Sequence, residues 1–312
     1  MLESVSKAFF HLLARNHALQ LVATRIGLRT PTSFARRFIA GETLDQAIEA
    51  ARDVQQKKRL LTLDLLGENV TNLAEADTAT RQYLEMVQAM TRAGIDRNIS
   101  LKLTSLGLDV DKAIAVDNLR KILEIAEPAG FFVRLDMESS HYTGITIEIF
   151  HTLWRQGHRC LGVVLQAALR RSEQDLGRID ALGGRVRLVK GAYTEPRAIA
   201  YRQKADVDAA YTRMMKVLVQ SGHYPAIATH DAAMIELTKQ WAADHGVAPD
   251  QFEFQMLYGV RRDLQAALVA AGYRVRVYIP FGRQWFPYVM RRLGERPANL
   301  AFVIKSLIRE QP

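Results

Sequence analysis

The 312-residue sequence contains one cysteine, Cys160, and no hydrophobic run that approaches the ~18 residues needed to span a bilayer. A single cysteine excludes a disulfide framework and any metal or iron–sulfur site built from several cysteines. Residues 1–13 lack the basic segment, the long apolar segment and the small-residue cleavage site of a signal peptide. These absences favour a soluble cytoplasmic protein.

Several short motifs of known chemistry are missing as well. No GxGxxG follows a strand-like run and no GxxxxGK[ST] occurs, which argues against a Rossmann or P-loop nucleotide site. The HExxH zinc motif and the GxSxG nucleophile elbow are also absent. His230 is a candidate for a single metal ligand, but no second histidine stands at a useful spacing, so a hydrogen-bonding role is the better interpretation. We expect no metal site.

The net charge of +9 is concentrated at the two ends, with +4 in residues 1–58 and +7 in residues 259–312. Such charge is typical of nucleic-acid binding, but the chain has no recognition motif and no basic stretch interleaved with aromatic residues. We therefore expect no nucleic-acid partner. The basic ends and the apolar segments 9–13 and 300–308 also fit peripheral contact with anionic lipid, and docking of these segments on the protein itself is the alternative.

From residue 59 onward, short β-rich apolar runs alternate with segments of helical spacing such as Ala113–Ala126 and Asp206–Val219. Eight such units over about 250 residues are typical of an α/β protein with a (β/α)8 TIM-type barrel. An open doubly wound sheet is the alternative. The predicted strands are Leu60–Leu66, Ile99–Leu103, Phe131–Leu135, Leu161–Leu165, Val186–Val189, Ala226–Thr229, Phe252–Leu257 and Val275–Pro280.

Residues 1–58 mix apolar and charged residues at helical spacing and contain no strand-like run. We interpret them as an N-terminal helical arm that precedes a barrel domain formed by residues 59–312. Gly41 is typical of a break, and Thr43 is a candidate N-cap for the helix that follows it.

Polar and reactive side chains cluster at the ends of the predicted strands, where barrel enzymes carry their chemistry. Reactive groups at the ends of so many strands are not expected in a protein that only binds a partner, so this pattern favours an enzyme. The cluster comprises Asp64, Glu68, Lys102, Thr104, Asp136, Glu138, Gln166, Arg187, Lys190, Thr229, His230, Asp231, Gln255, Tyr258 and Tyr278.

Two segments indicate the kind of substrate. Arg187–Tyr193 (RLVKGAY) places two cations beside Gly191, which allows the backbone to approach an anionic ligand closely. Tyr288–Glu295 (YVMRRLGE) places two adjacent arginines on one helical face, where they can bind a carboxylate, although a solvated surface helix is the alternative. A small zwitterionic or acidic substrate and a bound organic cofactor fit these groups.

The lysines at the strand ends are also compatible with a different class of enzyme. Lys102 near Asp136 predicts an ion pair if the neighbouring strand ends bring them together. A lysine at the end of a barrel strand is also typical of Schiff-base chemistry, so an aldolase that uses Lys102 or Lys190 is the rival hypothesis.

With these motifs in hand, the chain resembles the monofunctional bacterial proline dehydrogenases from about residue 60 to 305. The motifs occur in order: LDLLGE (63–68), SLKLTSLGL (100–108), RLDMES (134–139), VVLQAALRR (163–171), RLVKGAY (187–193), IATHD (227–231), FEFQMLYGVR (252–261), YIPFG (278–282) and YVMRRLGERPAN (288–299). The resemblance implies a distorted (β/α)8 barrel that binds FAD noncovalently. It further implies oxidation of L-proline to Δ1-pyrroline-5-carboxylate by hydride transfer to flavin N5, with electrons passed to a membrane quinone.

The resemblance also assigns roles to residues. Arg291 and Arg292 would clamp the proline carboxylate, with Glu295 bracing the pair. Lys102 and Asp136 would form an ion pair on the opposite side of the substrate. The residues that would pack against the pyrrolidine ring are Tyr278 and Leu257.

For the cofactor, the resemblance implies that Arg187 lies beside flavin N5 and helps to stabilise the reduced flavin. The residues that would hold FAD are Met137, Gln166, Val189, Lys190, Gly191, Ala192, Thr229 and His230. Ala168 departs from the family pattern, which often has an aromatic residue there, and the packing near the flavin is the place where this difference would act. Tyr278 marks proline rather than hydroxyproline as the substrate, because it fills the space that a ring hydroxyl needs.

Overall fold

The computed structural model describes residues 34–294 and contains a closed barrel of eight parallel strands. Each strand pairs with the next along the chain, and β8 pairs with β1, so the barrel prediction is confirmed and the open sheet is excluded. The strands are β1 (Leu60–Leu65), β2 (Asn98–Leu101), β3 (Phe132–Leu135), β4 (Leu161–Gln166), β5 (Arg185–Val189), β6 (Ala226–Ala228), β7 (Glu253–Leu257) and β8 (Arg274–Phe281).

Helices surround the barrel and connect consecutive strands. The α-helices are α1 (Leu44–Gln56), α2 (Leu73–Ala93), α3 (Lys112–Ala126), α4 (Ser140–Arg155), α5 (Ser172–Asp180), α6 (Lys204–Ser221), α7 (Ala232–Asp244), α8 (Arg262–Ala270) and α9 (Trp285–Gly294). Short 3₁₀ helices cover Phe34–Arg37 and Leu103–Leu106. Between residues 34 and 294, no helix combines the length and the apolar character that crossing a membrane requires.

On most strands, an apolar outer face alternates with an inner face that carries polar side chains. On β1, Leu61 and Leu63 are fully buried in the core that the strands share with the surrounding helices. Thr62 and Asp64 alternate with them and point into the barrel, where the Thr62 hydroxyl lies 3.3 Å from the Ser100 hydroxyl of β2. The outer face therefore holds the fold together, and the inner face is available for polar groups.

The amino-terminal end of the barrel is closed by a buried ion cluster. Arg276 donates to Glu253 at 2.8 Å and to Asp96 at 2.6 Å. Burial raises the pKa of Glu253, but the adjacent guanidinium of Arg276 outweighs burial and holds the pKa at about 2. Glu253 is therefore ionised at neutral pH.

Part of the predicted N-terminal arm packs on the barrel. Thr43 caps α1 as predicted: its side chain accepts from the backbone of Gln46, whose side chain accepts in return from the Thr43 backbone. Helix α1 then packs against β1 and β8, with Ala47 and Ala51 fully buried. Residues 1–33 and 295–312 lie outside the described residues, and with them lie the apolar segments 9–13 and 300–308.

The segment before α1 is fastened to the carboxyl end of the barrel. The Ala40 N–H donates to the Pro280 carbonyl at 2.9 Å, and the Gly282 N–H donates to the Gly41 carbonyl at 2.9 Å. At Gly259, with φ of +74°, a Cβ atom would lie 1.6 Å from the Arg37 carbonyl oxygen. Only glycine fits there, because the backbone of the segment occupies the place of a side chain.

Gly162 on β4 provides a test of how tightly the inner face is packed. An alanine Cβ at this position would lie 2.4 Å from the Phe132 ring and 2.7 Å from the Arg185 carbonyl oxygen. We expect Gly162→Ala to lower the free energy of unfolding by about 1–3 kcal/mol in urea titrations, because a core this dense has no room for the methyl group.

The matched control is Gly177→Ala on α5, where nothing lies within 4 Å of the added Cβ atom. Since alanine favours the helix more than glycine does, this variant should gain about 1 kcal/mol. Equal stability of the two alanine variants would contradict the packing described for the inner face.

Candidate active site

Five charged or phenolic side chains meet at the carboxyl end of the barrel. Each lies in a strand or directly after one, where sequence reasoning expected the chemistry. They are Asp64 on β1, Lys102 after β2, Asp136 after β3, Arg187 on β5 and Tyr278 on β8.

Asp136 lies at the centre of this group and pairs with Arg187. The Nη1 atom of Arg187 lies 2.6 Å from Asp136 Oδ1, and the Tyr278 hydroxyl donates to Asp136 Oδ2 at 2.7 Å. The guanidinium carbon of Arg187 lies 5.2 Å from the centroid of the Tyr278 ring. Burial raises the pKa of Tyr278 and the Asp136 carboxylate raises it further, so the phenol keeps its proton and remains the donor.

The predicted ion pair between Lys102 and Asp136 is therefore wrong. Lys102 Nζ lies 3.2 Å from Asp64 Oδ1, and both side chains are buried. The reason is the register of the sheet: Asp64 pairs with Ser100 on the neighbouring strand, two residues before Lys102. The carboxylate of β1 thus stands next to the lysine.

The Lys102–Asp64 pair has shifted pKa values on both sides. Burial raises the pKa of Asp64 to about 6, although Lys102 opposes this shift. Burial lowers the pKa of Lys102, but the carboxylates of Asp64 and Asp136 outweigh it and hold this pKa above its ordinary value. A lysine held as an ammonium is a poor nucleophile, which argues against Schiff-base chemistry at Lys102.

The two arginines of α9 reach the same end of the barrel. Arg291 donates two hydrogen bonds to the carboxylate of Glu68, at 2.7 and 3.2 Å, and both side chains are largely buried. Burial lowers the pKa of Arg291, but Glu68 outweighs it and raises the pKa. The Arg292 guanidinium carbon lies 5.2 Å from the Tyr288 ring centroid. The predicted brace, Glu295, lies outside the described residues.

Leu257 and Tyr278 are register partners on β7 and β8, so the two side chains assigned to the pyrrolidine ring are neighbours. The Leu257 N–H also donates to His230 Nε2 at 2.9 Å. A ring nitrogen that accepts this bond is unprotonated, which agrees with the hydrogen-bonding interpretation of His230.

The residues assigned to FAD follow four consecutive strands, β3 to β6, and therefore lie along one side of the barrel mouth. They are Met137 after β3, Gln166 at the end of β4, Val189 at the end of β5, Lys190, Gly191 and Ala192 after β5, and Thr229 and His230 after β6.

The loop after β5 has properties that suit a phosphate-containing cofactor. Gly191 has φ of +110°, and a Cβ atom there would lie 3.0 Å from Gln166 Oε1 and 3.2 Å from Ala168 Cβ. Within residues 34–294, the backbone N–H groups of Gly191 and Ala192 donate to no backbone carbonyl, and such groups bind phosphate oxygens well. The donor set therefore fits the cofactor that the resemblance implies.

Lys190 is engaged by two carboxylates. Its Nζ atom lies 2.5 Å from Asp208 Oδ1 and 3.0 Å from Asp231 Oδ2. The hydrogen bond from Lys190 lowers the pKa of Asp231, so this carboxylate is ionised at neutral pH. Lys190 is thereby fixed beside the loop that contains Gly191.

Sequence reasoning named several polar residues without finding their partners. Gln255 and Glu68 belonged to the polar cluster, yet their contacts with Arg187 and Arg291 had no signal in the spacing. Ser100, whose hydroxyl accepts from Arg187 at 2.9 Å, was missed altogether. Alternation along β2 was the available signal, because Ser100 lies two residues before Lys102 and shares its face.

Glu138 is a second buried carboxylate next to the site. It accepts from the Thr104 hydroxyl at 2.6 Å, and Gln166 donates to its backbone carbonyl at 2.7 Å. Burial raises the pKa of Glu138 to about 7, although Thr104 and Lys102 oppose this shift. The carboxyl group therefore changes its charge near neutral pH.

Comparisons with known proteins agree with this arrangement. Residues 47–305 match the proline dehydrogenase family. The chain is 39% identical over 306 residues to Proline dehydrogenase 2 of Bacillus subtilis (strain 168), an alignment that covers 98% of this chain and 100% of that protein. It is 41% identical over 281 residues to Proline dehydrogenase of Deinococcus radiodurans, which covers 89% of this chain and 91% of that protein.

Solved structures include a similar fold. The crystal structure of proline utilization A (PutA) from Bdellovibrio bacteriovorus inactivated by N-propargylglycine superimposes with a TM-score of 0.79 at 27% sequence identity. The superposition covers 93% of this chain and 36% of that longer chain.

The raised pKa of Glu138 predicts a pH-dependent effect of Glu138→Gln. In the unfolded chain the carboxyl ionises near its ordinary pKa of 4.5, whereas in the folded protein it ionises at about 7. Glu138 therefore lowers the stability of the wild type as the pH rises through this window, and the variant lacks this contribution. We expect the stability of Glu138→Gln relative to wild type to rise by up to about 3 kcal/mol between pH 4.5 and 7.

Urea unfolding across this pH range measures the difference. The control variant Glu236→Gln replaces an exposed carboxylate on α7 and should show no comparable trend. A Glu138→Gln difference that stays constant with pH would contradict the burial argument.

Proposed function

The chain belongs to the proline dehydrogenase family, and from this premise we propose that it oxidises L-proline with noncovalently bound FAD and passes the electrons to a membrane quinone. Proline dehydrogenase activity, the first step of proline catabolism, follows from the family. The proposed product is Δ1-pyrroline-5-carboxylate. The observation that carries the proposal is the grouping of a carboxylate-binding arginine, a buried acid–phenol pair and a phosphate-suited loop at one end of the barrel.

The substrate carboxylate is proposed to bind Arg291 and Arg292. Arg291 already makes a two-bond contact with the carboxylate of Glu68, which has the shape and charge that a substrate carboxylate would present. Substrate therefore competes with Glu68 for the guanidinium or shares it. Glu295 is proposed to brace the two arginines.

The amino group and ring of proline are proposed to face the Asp136 side of the site, with Lys102 nearby. The Tyr278 hydroxyl is held by Asp136, which fixes the aromatic ring beside Leu257 as an apolar wall. The arginines disfavour the ammonium form of the substrate and Asp136 favours it, so we assign no general base. Arg187 is proposed to contact the cofactor ring next to the substrate.

The cofactor is proposed to lie along the ends of β3 to β6. Bound FAD would accept the hydride that leaves C5 of proline. The N–H groups of Gly191 and Ala192 supply donors for its phosphates, and Gln166 and Thr229 supply polar contacts. The close packing at Gly191 supports this assignment, because a Cβ atom added there would lie 3.0 Å from Gln166 Oε1 and would occupy the space between the loops.

We further propose that the protein is cytoplasmic, contacts the membrane peripherally and uses a membrane quinone as its electron acceptor. The basic residues near the two ends of the sequence and the apolar segments 9–13 and 300–308 support contact with anionic lipid. Sedimentation with vesicles tests this part: binding to anionic vesicles should exceed binding to neutral ones. Equal binding would remove membrane contact and leave the rest of the proposal in place.

The visible spectrum of the purified protein tests the central proposal. We expect a yellow protein with flavin absorption that bleaches on anaerobic addition of L-proline. A colourless protein that borohydride inactivates irreversibly in the presence of substrate would instead support the Schiff-base hypothesis, in which Lys190 is the remaining candidate.

Substrate choice tests the role of Tyr278. We expect a higher kcat/KM for L-proline than for trans-4-hydroxyproline, because the Tyr278 ring, which its hydrogen bond to Asp136 holds in place, is proposed to fill the space that the additional hydroxyl needs. Steady-state kinetics with both substrates measure the ratio, and equal efficiencies would contradict this role.

Arg291→Met tests the carboxylate clamp. Loss of a charge-assisted, two-bond contact costs about 1.5–3 kcal/mol, so KM for proline should rise about 10- to 100-fold. The control variant Arg283→Met removes an exposed arginine from the same part of the chain and should leave KM within about twofold of wild type. Equal KM values for the two variants would rule out Arg291 as the clamp.

A further inference from the structure

A continuous chain of buried hydrogen bonds runs through the barrel from Arg276 at its amino-terminal end to Arg187 at its carboxyl end. The links are Arg276 to Glu253, Gln255 to Glu253, and Arg187 to Gln255. We propose that Gln255 is a positioning residue that fixes the Arg187 guanidinium, and that Glu253 determines which end of the Gln255 amide faces it. This inference rests on the proposed role of Arg187 beside the reacting centre.

Arg187 is held by one acceptor on each of its three guanidinium nitrogens. Nη1 donates to Asp136 at 2.6 Å, Nη2 donates to Ser100 at 2.9 Å, and Nε donates to Gln255 Oε1 at 2.5 Å. Two acceptors at the tip leave the guanidinium free to pivot about them. The bond at Nε fixes the third point and therefore the plane of the group.

The amide of Gln255 works only in one orientation. It has an oxygen that accepts and a nitrogen that donates, and its nitrogen donates to Glu253 Oε1. In the flipped orientation, the amide nitrogen would face the guanidinium and the amide oxygen would face a carboxylate. Both contacts would then be repulsive.

Glu253 enforces this orientation because it can only accept. It receives hydrogen bonds from the Arg276 Nε at 2.8 Å, from the Tyr224 hydroxyl at 3.2 Å and from Gln255. Its pKa is held at about 2, so no proton is available to reverse the polarity. Arg276 is itself fixed, since it donates to Asp96 at 2.6 Å and to the Leu61 carbonyl at 2.5 Å.

A displaced Arg187 would disturb the groups proposed to touch the substrate. Asp136 bonds to both Arg187 and Tyr278, and the Tyr278 ring lies 5.2 Å from the guanidinium carbon. Gln255 therefore acts on the reaction through Arg187. The carboxylate clamp at Arg291 is separate from this chain, so the rate should be affected more than substrate binding.

Gln255→Leu removes the acceptor for Arg187 Nε. A misplacement of about 1 Å at a reacting centre costs up to about 100-fold in rate, so kcat should fall about 10- to 100-fold, whereas KM for proline should change less than about threefold. Asn118→Leu is the matched control. It removes a buried amide on α3 that donates to the Leu106 carbonyl at 3.1 Å, outside the barrel interior, and kcat should stay within about twofold of wild type.

Gln255→Glu is the conservative variant and separates positioning from a general structural role. With one proton shared between positions 253 and 255, the new carboxyl group donates to Glu253 and accepts from Arg187, as the amide does. We expect kcat within about threefold of wild type where this proton is retained. As the pH rises and the proton leaves, the two carboxylates repel each other and kcat should fall along a limb that the wild type lacks.

In the Gln255→Glu variant, the groups around the carboxyls at positions 253 and 255 favour loss of the shared proton. The charged and titratable groups that face the two carboxyls are Arg134, Arg185, Arg187, Tyr224 and Arg276. Four cations favour the ionised carboxylates. A Gln255→Glu variant that keeps the wild-type kcat at every pH from 6 to 10 would therefore overturn the proposal, as would a kcat of Gln255→Leu equal to that of the Asn118→Leu control.

A double-mutant cycle on the flavin-free chain gives a readout apart from activity. Arg187→Met, Gln255→Leu and the double variant are unfolded in urea, and the loss in midpoint for the double variant should be smaller than the sum of the two single losses. Additive losses would overturn the inference. A colourless wild type with non-additive losses would instead contradict the proposed cofactor and leave the positioning of Arg187 established.

Discussion

Guanidinium groups inside a barrel must meet hydrogen-bond acceptors, and this constraint shapes the whole interior of the protein. Arg134, Arg187 and Arg276 are each at most 5% exposed. An uncompensated buried charge is costly, so acceptors have to stand where the guanidinium nitrogens point. Carboxylates, amides, hydroxyls and backbone carbonyls from neighbouring strands fill most of these places, although Arg134 Nε has no hydrogen-bond partner among the described residues. The side chains proposed to bind substrate and cofactor thus lie at one end of a barrel interior in which Arg187 and Arg276 are already paired with carboxylates.

The apolar outer face of the strands makes this polar barrel interior possible. Because Leu61, Leu63 and their counterparts on the other strands pack against the helices, the strands are held from outside. The interior can then be polar without loss of the fold, provided that its hydrogen bonds are complete. Charged residues in the strands, such as Arg187 and Arg276, are therefore compatible with a stable barrel.

Sequence periodicity was sufficient to predict the barrel and the placement of polar groups at strand ends. It located β1 to β8 to within two residues at each end, because alternation and helical spacing are local properties. It could not predict partners. Lys102 lies near two carboxylates, Asp64 and Asp136. Only the register between β1 and β2 determines that its ion pair forms with Asp64. Likewise, Glu68 meets Arg291 because α9 turns back over the barrel, which no local pattern records.

The contact between Arg291 and Glu68 joins residues 223 positions apart in the chain. The pairing of β8 with β1 and the backbone bonds of Ala40 and Gly41 to the end of β8 span similar separations. Contacts of this range form late, since the loop-closure entropy must be overcome first. During synthesis, strands β1 to β7 therefore emerge with their inner faces open, and the mouth of the barrel takes shape only when α9 arrives. The proposed substrate site is therefore the part of the protein that is completed last.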